Sequence, residues 1–311
     1  DGHPGYASHQ LAVVAARWLG LPLQLVQHHR AHGLAVAAEH GLQLPLLVWA
    51  CDGLGYGDPA EASGNRLWGG ELLWLTASGA ERWSCLRPFP LPGGERAMAE
   101  PRRAALGLLA AAGPEALGHP GAAACRAAFS PGDWQLLLQA IASGCNSPLC
   151  SSTGRLFDAA ASLLDLCQRS SFEGEAGLLL EGLALQAPPP QVAPMPLLPA
   201  AGLELGWLDW QPLLHSLLNA GVAPQESAAC FHASLAAGLA GAAAEAAGRL
   251  DATTVLLAGG CFQNRLLLEL TATALRGAGL VPRWAEQLPS NDGGLALGQL
   301  WAALADLPIT K

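Results

Sequence analysis

The sequence predicts an α/β fold, and three observations support this prediction. Near the C-terminus, short apolar segments at 254–258 and 280–284 alternate with helical segments, which is the pattern of an α/β protein. Earlier in the chain, the apolar run 44–50 ends at Asp52-Gly53, as a buried strand does when it enters a glycine turn. The chain has 311 residues, of which 51% are hydrophobic, so it can bury the core of one large domain or of two lobes.

Apolar residues recur three and four positions apart in several segments, which predicts helices. These helices are expected at 8–19, 28–40, 208–220, 225–249, from residue 261 to about 275, and after residue 294. Short apolar runs bounded by glycine or proline predict strands, and these are expected at 23–26, 44–50, 67–75, 80–86, 254–258 and 280–284. Residues 98–182 are expected to be mainly helical, and the Pro-rich segment 187–198 is expected to cross the surface in an extended form.

Composition excludes several classes of protein. The formal net charge is −9 and no basic run occurs, which argues against binding of nucleic acid through its phosphates. The apolar segment 228–250 is interrupted by His232, Glu245 and Arg249, so we expect a buried helix there and no membrane span. The chain does not open with a signal-peptide pattern, and its eight cysteines form no C-x-x-C pair. We therefore expect a cytoplasmic protein with reduced thiols.

The first candidate site is Gln27-His28-His29-Arg30-Ala31-His32. His28 and His32 are four residues apart, so on a helix both rings project from one face and can bind one metal. Two imidazoles and a carboxylate suit a borderline divalent metal, and iron and zinc fit about equally. The alternative is a surface helix that carries incidental histidines.

The second candidate site follows the apolar run 44–50. Asp52 and the alternating glycines Gly53, Gly55 and Gly57 would let backbone N–H groups approach a phosphate, and Asp52 is a candidate catalytic residue that positions a metal or water. The alternative is a tight turn without a ligand.

The third candidate site combines two glycine-containing turns. Gly259 and Gly260 lie between a strand and a helix, where N–H groups can bind an anionic ligand, and Asn264 falls in the first turn of that helix. In the segment 289–294, Asp292 is a candidate third metal ligand. A plain turn and an ordinary helix cap remain the alternatives.

Two further segments, 145–158 and 171–175, combine small residues with acidic ones. Gly154, Asp158 and Glu175 are candidates to line a sugar or a phosphate, although helix capping explains the first segment equally well. His215 and His232 lie within apolar helices, and we expect them to be core residues. No Ser/His/Asp nucleophile set is visible.

Taken together and in order, these segments resemble one family. The segments that carry the resemblance are 27–32, 52–58, 68–71, 87–94 (Arg-Pro-Phe-Pro-Leu-Pro-Gly-Gly), 151–158, 172–176, 259–265 and 291–294. They are similar to the C-terminal carbamoyltransferase region of the hydrogenase-maturation protein HypF. The related TsaD proteins and antibiotic O-carbamoyltransferases share its fold, but the Arg-Pro-Phe-Pro segment and the His-His-x-Ala-His form favour HypF.

The resemblance implies an actin-like (ASKHA), two-lobed nucleotide-binding fold. It also implies transfer of the carbamoyl group of carbamoyl-adenylate, made from ATP by a YrdC-like domain or chain, to the C-terminal cysteine of the partner HypE. By position, His28, His32 and Asp292 would hold the divalent metal. The nucleotide would meet Gly259, Gly260 and Asn264 at its adenosine, Asp158 and Glu175 at its ribose, and Asp52 and Gly53 at its phosphate.

The chain departs from the family pattern in three places. The family carries a further stretch before Asp1, so the resemblance implies a truncated N-terminal lobe. Residues 1–45 would be its remnant with the metal motif, and 46–311 would form the nucleotide-binding lobe with a helical insertion. Leu54 stands where the family commonly has Thr, and residues 59–65 differ from the family's hairpin. A non-catalytic nucleotide- or partner-binding remnant and a small-molecule O-carbamoyltransferase remain alternatives.

Overall fold

The computed structural model describes residues 1–2, 5–57, 67–94, 96–188 and 190–305. Its centre is a mixed sheet whose strands follow the order β6-β7-β3-β2-β1-β8-β9, with β4 and β5 paired to each other beside β2. The strands are β1 (Leu46–Tyr56), β2 (Leu67–Thr76), β3 (Gly79–Leu86), β4 (Phe89–Pro90), β5 (Leu149–Cys150), β6 (Leu197–Leu198), β7 (Gly206–Leu208), β8 (Thr254–Ala258) and β9 (Val281–Trp284).

Helices cover both faces of this sheet. They are α1 (Ala7–Leu19), α2 (His28–Glu39), α3 (Arg96–Ala99), α4 (Pro101–Ala112), α5 (Pro114–Gly118), α6 (Ala123–Ala127), α7 (Pro131–Ser143), α8 (Thr153–Leu163), α9 (Glu175–Ala184), α10 (Gln211–Leu218), α11 (Pro224–Leu250), α12 (Arg265–Gly277) and α13 (Leu295–Ala305). Helices α3 to α9 lie in sequence between β4 and β6.

The two faces of β1 belong to two separate cores, because side chains alternate along a strand. Leu47 and Trp49 pack in the larger core with α4, α8 and α11, and the indole N–H of Trp49 donates to Leu239 O on α11 at 2.7 Å. Leu46 and Val48 pack on the other side with α2 and α13. The predicted continuous apolar run is therefore a strand buried on both faces.

The antiparallel pairing of β1 with β2, and of β2 with β3, confirms the predicted meander, whereas β1 pairs parallel with β8. Because parallel strands place their carboxyl ends at one edge, the irregular part of β1 after Cys51 meets the turn after Ala258 there. This edge positions the candidate site.

Among the described residues, α11 is long and apolar enough to cross a membrane, but 67% of its most apolar stretch is buried inside the protein. Contacts with α9, α12 and β1 account for the buried face, as expected of a core helix. The expectation of a buried helix at 228–250 is confirmed.

Three sequence predictions about elements are wrong. The strand expected at 44–50 does not end in a turn at Asp52-Gly53, because β1 continues to Tyr56 with an irregular register after Cys51. Residues 23–26 form no strand. Leu23 and Leu25 are exposed and only Val26 is buried, so the segment is not packed into the sheet. The helix expected from residue 208 begins at Gln211, since 206–208 instead pair with β3 and β6. The departure at 59–65 lies outside the described residues.

Candidate functional site

The capping residue of α2 fixes where the histidine motif begins. The side-chain oxygen of Gln27 accepts the backbone N–H of Arg30 at 2.7 Å, and its amide nitrogen donates to Tyr56 O at 3.0 Å. Gln27 therefore joins the first turn of α2 to the end of β1. With the helix starting there, His28 and His32 lie one turn apart on one face, and their ring centroids are 4.9 Å apart.

Two carboxylates meet these two rings. Oδ2 of Asp52 lies 3.0 Å from His28 Nε2 and 3.3 Å from His32 Nε2. Oδ1 of Asp292 lies 3.6 Å and 3.5 Å from the same two nitrogens. The structure thus brings the three predicted metal ligands together, and it adds Asp52 as a fourth candidate donor.

A third carboxylate lies behind this group. Oδ2 of Asp1 is 2.7 Å from Nδ1 of His28, and both side chains are nearly inaccessible to solvent. A carboxylate at one ring nitrogen favours a hydrogen there and leaves the lone pair of the other nitrogen for a metal. Asp1 therefore orients His28 Nε2 toward Asp52 and Asp292.

Two opposing effects set the pKa values of Asp52 and His32: burial disfavours the charged form of each side chain, and close contacts with opposite charges favour it. Burial by itself would raise the pKa of the Asp52 carboxyl, but the hydrogen bond with His28 and the close contact with His32 outweigh it and hold that pKa well below its usual range. Burial would likewise lower the pKa of His32, but interaction with the carboxylates of Asp292 and Asp52 raises it. Asp52 is therefore an anion at neutral pH.

The donor set suits a divalent metal. The four ligand atoms of His28, His32, Asp52 and Asp292 lie within 4.8 Å of one another. Nε2 of His32 is buried, and it makes no hydrogen bond of good geometry to the described residues. Imidazole nitrogens with carboxylate oxygens are the donors that iron and zinc accept. These four residues would hold the metal.

The turn after β8 packs directly against the same aspartate. Gly259 has φ +98° and lies against the backbone of Cys51 so closely that a Cβ would overlap Cys51 O. Gly260 then donates its backbone N–H to Asp52 Oδ1 at 3.2 Å. Asp52 thus has one oxygen at the glycine turn and the other at the histidines, which links the metal group to the turn.

A cleft of about 440 Å³ opens beside this junction, which is the size of a small-ligand site. Seven predicted site residues line it: Asp52, Gly53, Gly154, Asp158, Gly260, Asn264 and Asp292. His28 and His32 lie behind Asp52 and Asp292 at one end. The cleft therefore joins the metal group to the predicted nucleotide segments.

Helix α8 supplies one wall of the cleft. Ser152 caps the helix by accepting the N–H of Arg155 at 3.0 Å, and its hydroxyl also donates to the backbone at Asp52 and Gly53. Arg155 Nη1 lies 2.6 Å from Asp158 Oδ2. Burial raises the pKa of Asp158 to about 6, with Arg155 opposing the shift. The carboxylate form of Asp158, which can accept hydrogen bonds from ligand hydroxyls, therefore prevails only above this pH.

A buried glutamate anchors the loop that leads into α8. Glu71 is fully buried on β2, and it accepts hydrogen bonds from Gly69 N, Gly70 N and the Ser151 hydroxyl. Its other oxygen receives Arg82 Nε at 2.6 Å. Because all these groups belong to β2, β3 and the residue before Ser152, the glutamate holds the cleft wall to the sheet.

Three predicted nucleotide-binding residues do not line the cleft. Gly55 lies under the rings of His28 and His29, and Gly259 lies behind Gly260 against Cys51. Glu175 instead accepts hydrogen bonds from the backbone and the hydroxyl of Ser171, which closes the turn before α9. The direct ligand contacts predicted for these three therefore find no support in their placement.

Sequence reasoning missed the face that α9 turns toward the cleft. Gly174, Gly177, Leu178 and Glu181 all line it, as does Glu173 in the preceding turn. The spacing 174, 177, 178 and 181 is that of one helix face, so the signal was present. The sequence analysis instead named Glu175, because it is the first acidic residue of the helix.

Comparison with known proteins places the chain in a family. A family model described as "Carbamoyltransferase, Kae1-like Domain, second subdomain" matches residues 48–299, and one described as "HypF Kae1-like domain" matches residues 1–39. Carbamoyltransferase HypF2 of Cupriavidus necator is 40% identical over 99% of this chain and 40% of its own length. A carbamoyltransferase HypF homolog of the same organism is 38% identical over 97% of this chain and 76% of its own length.

Solved structures agree with this placement. The crystal structure of full-length HypF in the phosphate- and nucleotide-bound form superposes with a TM-score of 0.85 at 30% identity, over 97% of this chain and 45% of that one. The T. kodakarensis HypF structure gives 0.84 at 31% identity, over 97% of this chain and 39% of that one. The chain spans about 40% of the length of the first relatives it matches. It has the actin-like α/β fold of their Kae1-like region, and it belongs to the HypF carbamoyltransferase family.

Proposed function

We propose that this chain binds carbamoyl-adenylate in the cleft and transfers its carbamoyl group to the C-terminal cysteine thiol of a HypE-type acceptor protein in [NiFe] hydrogenase maturation. One observation carries the proposal. The group His28, His32, Asp52 and Asp292 lies at the end of the same cleft that the glycine turn and α8 line. Family membership supplies the carbamoyl chemistry.

Different residues of the cleft would bind different parts of the ligand. The backbone around Gly53 and the turn at Gly260 lie beside Asp52, where a phosphate would sit next to the metal group. Asp158 accepts hydrogen bonds from ligand hydroxyls on the opposite wall. When bound, a divalent metal supplies Lewis-acid polarisation of phosphate or carbonyl oxygens.

The cysteine that lines the cleft and the one beside Asp52 are poor nucleophiles, which favours attack by a thiol from another protein. Cys261 lines the cleft, but burial, reinforced by the nearby Cys51 and Asp52, raises its pKa well above the usual value. Burial also raises the pKa of Cys51 to about 12. Since the thiolate is the attacking form, neither group competes at neutral pH.

In the proposed step, the acceptor thiol gives its proton to solvent water and its sulfur bonds to the carbamoyl carbon. The bond from that carbon to the phosphate oxygen breaks, and AMP leaves. Holding both reactants in one cleft can lower such a barrier by roughly 7–11 kcal/mol without a reactive protein side chain. We further propose that a YrdC-like domain or chain supplies the carbamoyl-adenylate, and that the reaction takes place in the cytoplasm.

The test is transfer from supplied carbamoyl-adenylate to a HypE-type acceptor with a C-terminal cysteine, measured by intact-protein mass, with elemental analysis of the same sample. We expect the acceptor to gain one carbamoyl group, and we expect the gain to disappear in His28→Ala/His32→Ala. The matched control is His215→Ala on α10. The prediction that His215 is a core residue is wrong, because its side chain is exposed.

Three outcomes would contradict the proposal. Nucleotide binding without any transfer would favour a binding remnant. Carbamoylation of a small-molecule hydroxyl in the absence of an acceptor protein would favour an O-carbamoyltransferase. Full transfer by the double variant would remove the metal group from the mechanism.

A further inference from the structure

A histidine in the interior of α11 contacts the wall of the cleft from behind. His232 is fully buried, and its ring packs edge-on to Phe157, a cleft residue, at a centroid distance of 5.3 Å. Both ring nitrogens have polar neighbours. Nδ1 lies 2.8 Å from Ala228 O, and Nε2 lies 3.1 Å from the side-chain nitrogen of Asn264. The residue expected to be a plain core histidine is therefore connected to a predicted ligand-binding asparagine.

The contact at Ala228 determines which ring nitrogen carries the hydrogen. A carbonyl oxygen can only accept, so Nδ1 must be the donor. In the neutral ring Nε2 is then an acceptor, and it receives a hydrogen from Asn264 Nδ2. Burial lowers the pKa of His232 to about 4, so the ring is neutral under physiological conditions.

The carboxamide of Asn264 is held in one orientation by its other contacts. Its oxygen accepts the backbone N–H of Leu267 at 2.8 Å and thereby caps α12. Its nitrogen lies 3.4 Å from Gly177 O on α9 as well as 3.1 Å from His232. Turning the group over would set its NH₂ against the Leu267 N–H and its oxygen against Gly177 O. The network therefore admits one orientation.

We propose that His232 is a positioning residue that fixes the carboxamide of Asn264 at the nucleotide-binding cleft. The inference rests on the proposed function, because it assigns a purpose to Asn264 in that cleft. It also restricts the kind of ligand group that can hydrogen-bond with Asn264. Both amide hydrogens point at protein acceptors, so Asn264 meets a ligand through the second lone pair of its oxygen. The complementary ligand group is a donor, such as an exocyclic amine or a hydroxyl.

The experiment compares two substitutions at His232 with one control. His232→Gln retains an acceptor, and His232→Leu removes it. Ser234→Ala is the matched control, because Ser234 is a buried residue on the same helix whose hydroxyl accepts Ala193 N–H at 2.8 Å. AMP is the probe, and its affinity is measured by calorimetry on the 311-residue chain.

We expect His232→Leu to bind AMP about tenfold or more weakly, since a buried donor of Asn264 loses its partner. We expect His232→Gln to stay within about threefold of the wild type, and Ser234→Ala to bind as the wild type does even though its melting temperature falls. Equal losses in His232→Leu and Ser234→Ala, or no loss in His232→Leu, would overturn the proposal.

A measurement without ligand separates this inference from the proposed function. In ¹⁵N-labelled protein, the Asn264 side-chain amide protons should exchange slowly in the wild type and in His232→Gln. The His232 Nε2 shift should be that of an unprotonated nitrogen. A protonated Nε2 or a rapidly exchanging Asn264 amide would refute the positioning role whether or not AMP binds. Absence of AMP binding by the wild type, with these signals as expected, would instead refute the nucleotide part of the proposed function.

Discussion

Replacing Gly55 with Ala should damage the metal group without altering any ligand atom. A Cβ at this position would lie 2.6 Å from His28 Cδ2 and closer still to the ring of His29. Both rings are buried, with 1% and 0% of their surface exposed, so neither can swing into solvent. The added methyl group must therefore displace the rings or the strand.

The magnitude follows from these distances. Ordinary contact begins at 3.4 Å, so the His28 ring must move by about 0.8 Å, from 2.6 Å to 3.4 Å. Nε2 of His28 is 3.0 Å from Asp52 Oδ2, and Nδ1 is held by Asp1 at 2.7 Å, so this shift disrupts both contacts. Overpacking of a close-packed site costs about 1–3 kcal/mol of unfolding free energy. Misorientation of a metal-binding histidine lowers metal affinity about 10–100-fold.

The assay is competition for zinc or ferrous iron against a chromophoric chelator, with the free energy of unfolding from urea denaturation of the same samples. The matched control is Gly53→Ala on the same strand, where a Cβ has no neighbour closer than 3.9 Å. We expect the control to keep its metal affinity. Unchanged metal affinity and stability in Gly55→Ala would refute the argument that this glycine exists to make room for the histidines.

Three further predictions concern the metal ligands, the cleft and its anchor. His28→Ala/His32→Ala should lose its metal by elemental analysis while keeping its circular dichroism spectrum, and full metal content would remove both ligand assignments. AMP affinity should fall as pH drops through about 6, because Asp158 becomes protonated there, and Asp158→Asn should remove this dependence; a wild-type profile flat from pH 7 to 5 would exclude the contact. Since the folded-state pKa of Asp158 is raised, its contribution to stability is largest at acid pH and is lost as pH rises toward 6. Glu71→Ala should lower the unfolding free energy by about 3–5 kcal/mol in urea denaturation because it removes the buried carboxylate that pairs with Arg82 Nε at 2.6 Å, and a loss under about 1 kcal/mol would show that the anchor is dispensable.

Local patterns in the sequence were sufficient for much of the fold and for part of the site. The apolar run at 44–50 predicted β1 because a strand buried on both faces has no polar residue to interrupt it. The i, i+4 spacing of His28 and His32 predicted a shared ligand position, because helix geometry alone puts such side chains together. The turn at 259–260 and the helix after it were likewise visible in the residues themselves.

Other features depend on which strands become neighbours, and no local pattern specifies this. Asp52 was expected to position a metal or water, but its place between Gly260 and the two histidines depends on the parallel pairing of β1 with β8 and on the packing of α2 against both strands. Gly55 and Glu175 look like ligand-binding residues in the sequence, but tertiary packing gives them other roles. Gly55 leaves room for the rings of His28 and His29, and Glu175 closes the turn before α9.

The sequence by itself determined the helices, the buried strands, the glycine turns and the histidine pair, because each depends on interactions between residues close together in the chain. Only the tertiary structure decided that Asp1 supports His28, that α9 forms a wall of the cleft and that His232 contacts Asn264. The contact between Asp1 and His28 joins residues 27 positions apart, and the contact between His232 and Asn264 joins residues 32 positions apart. Their energies therefore arise only when the sheet has formed and buried the groups concerned.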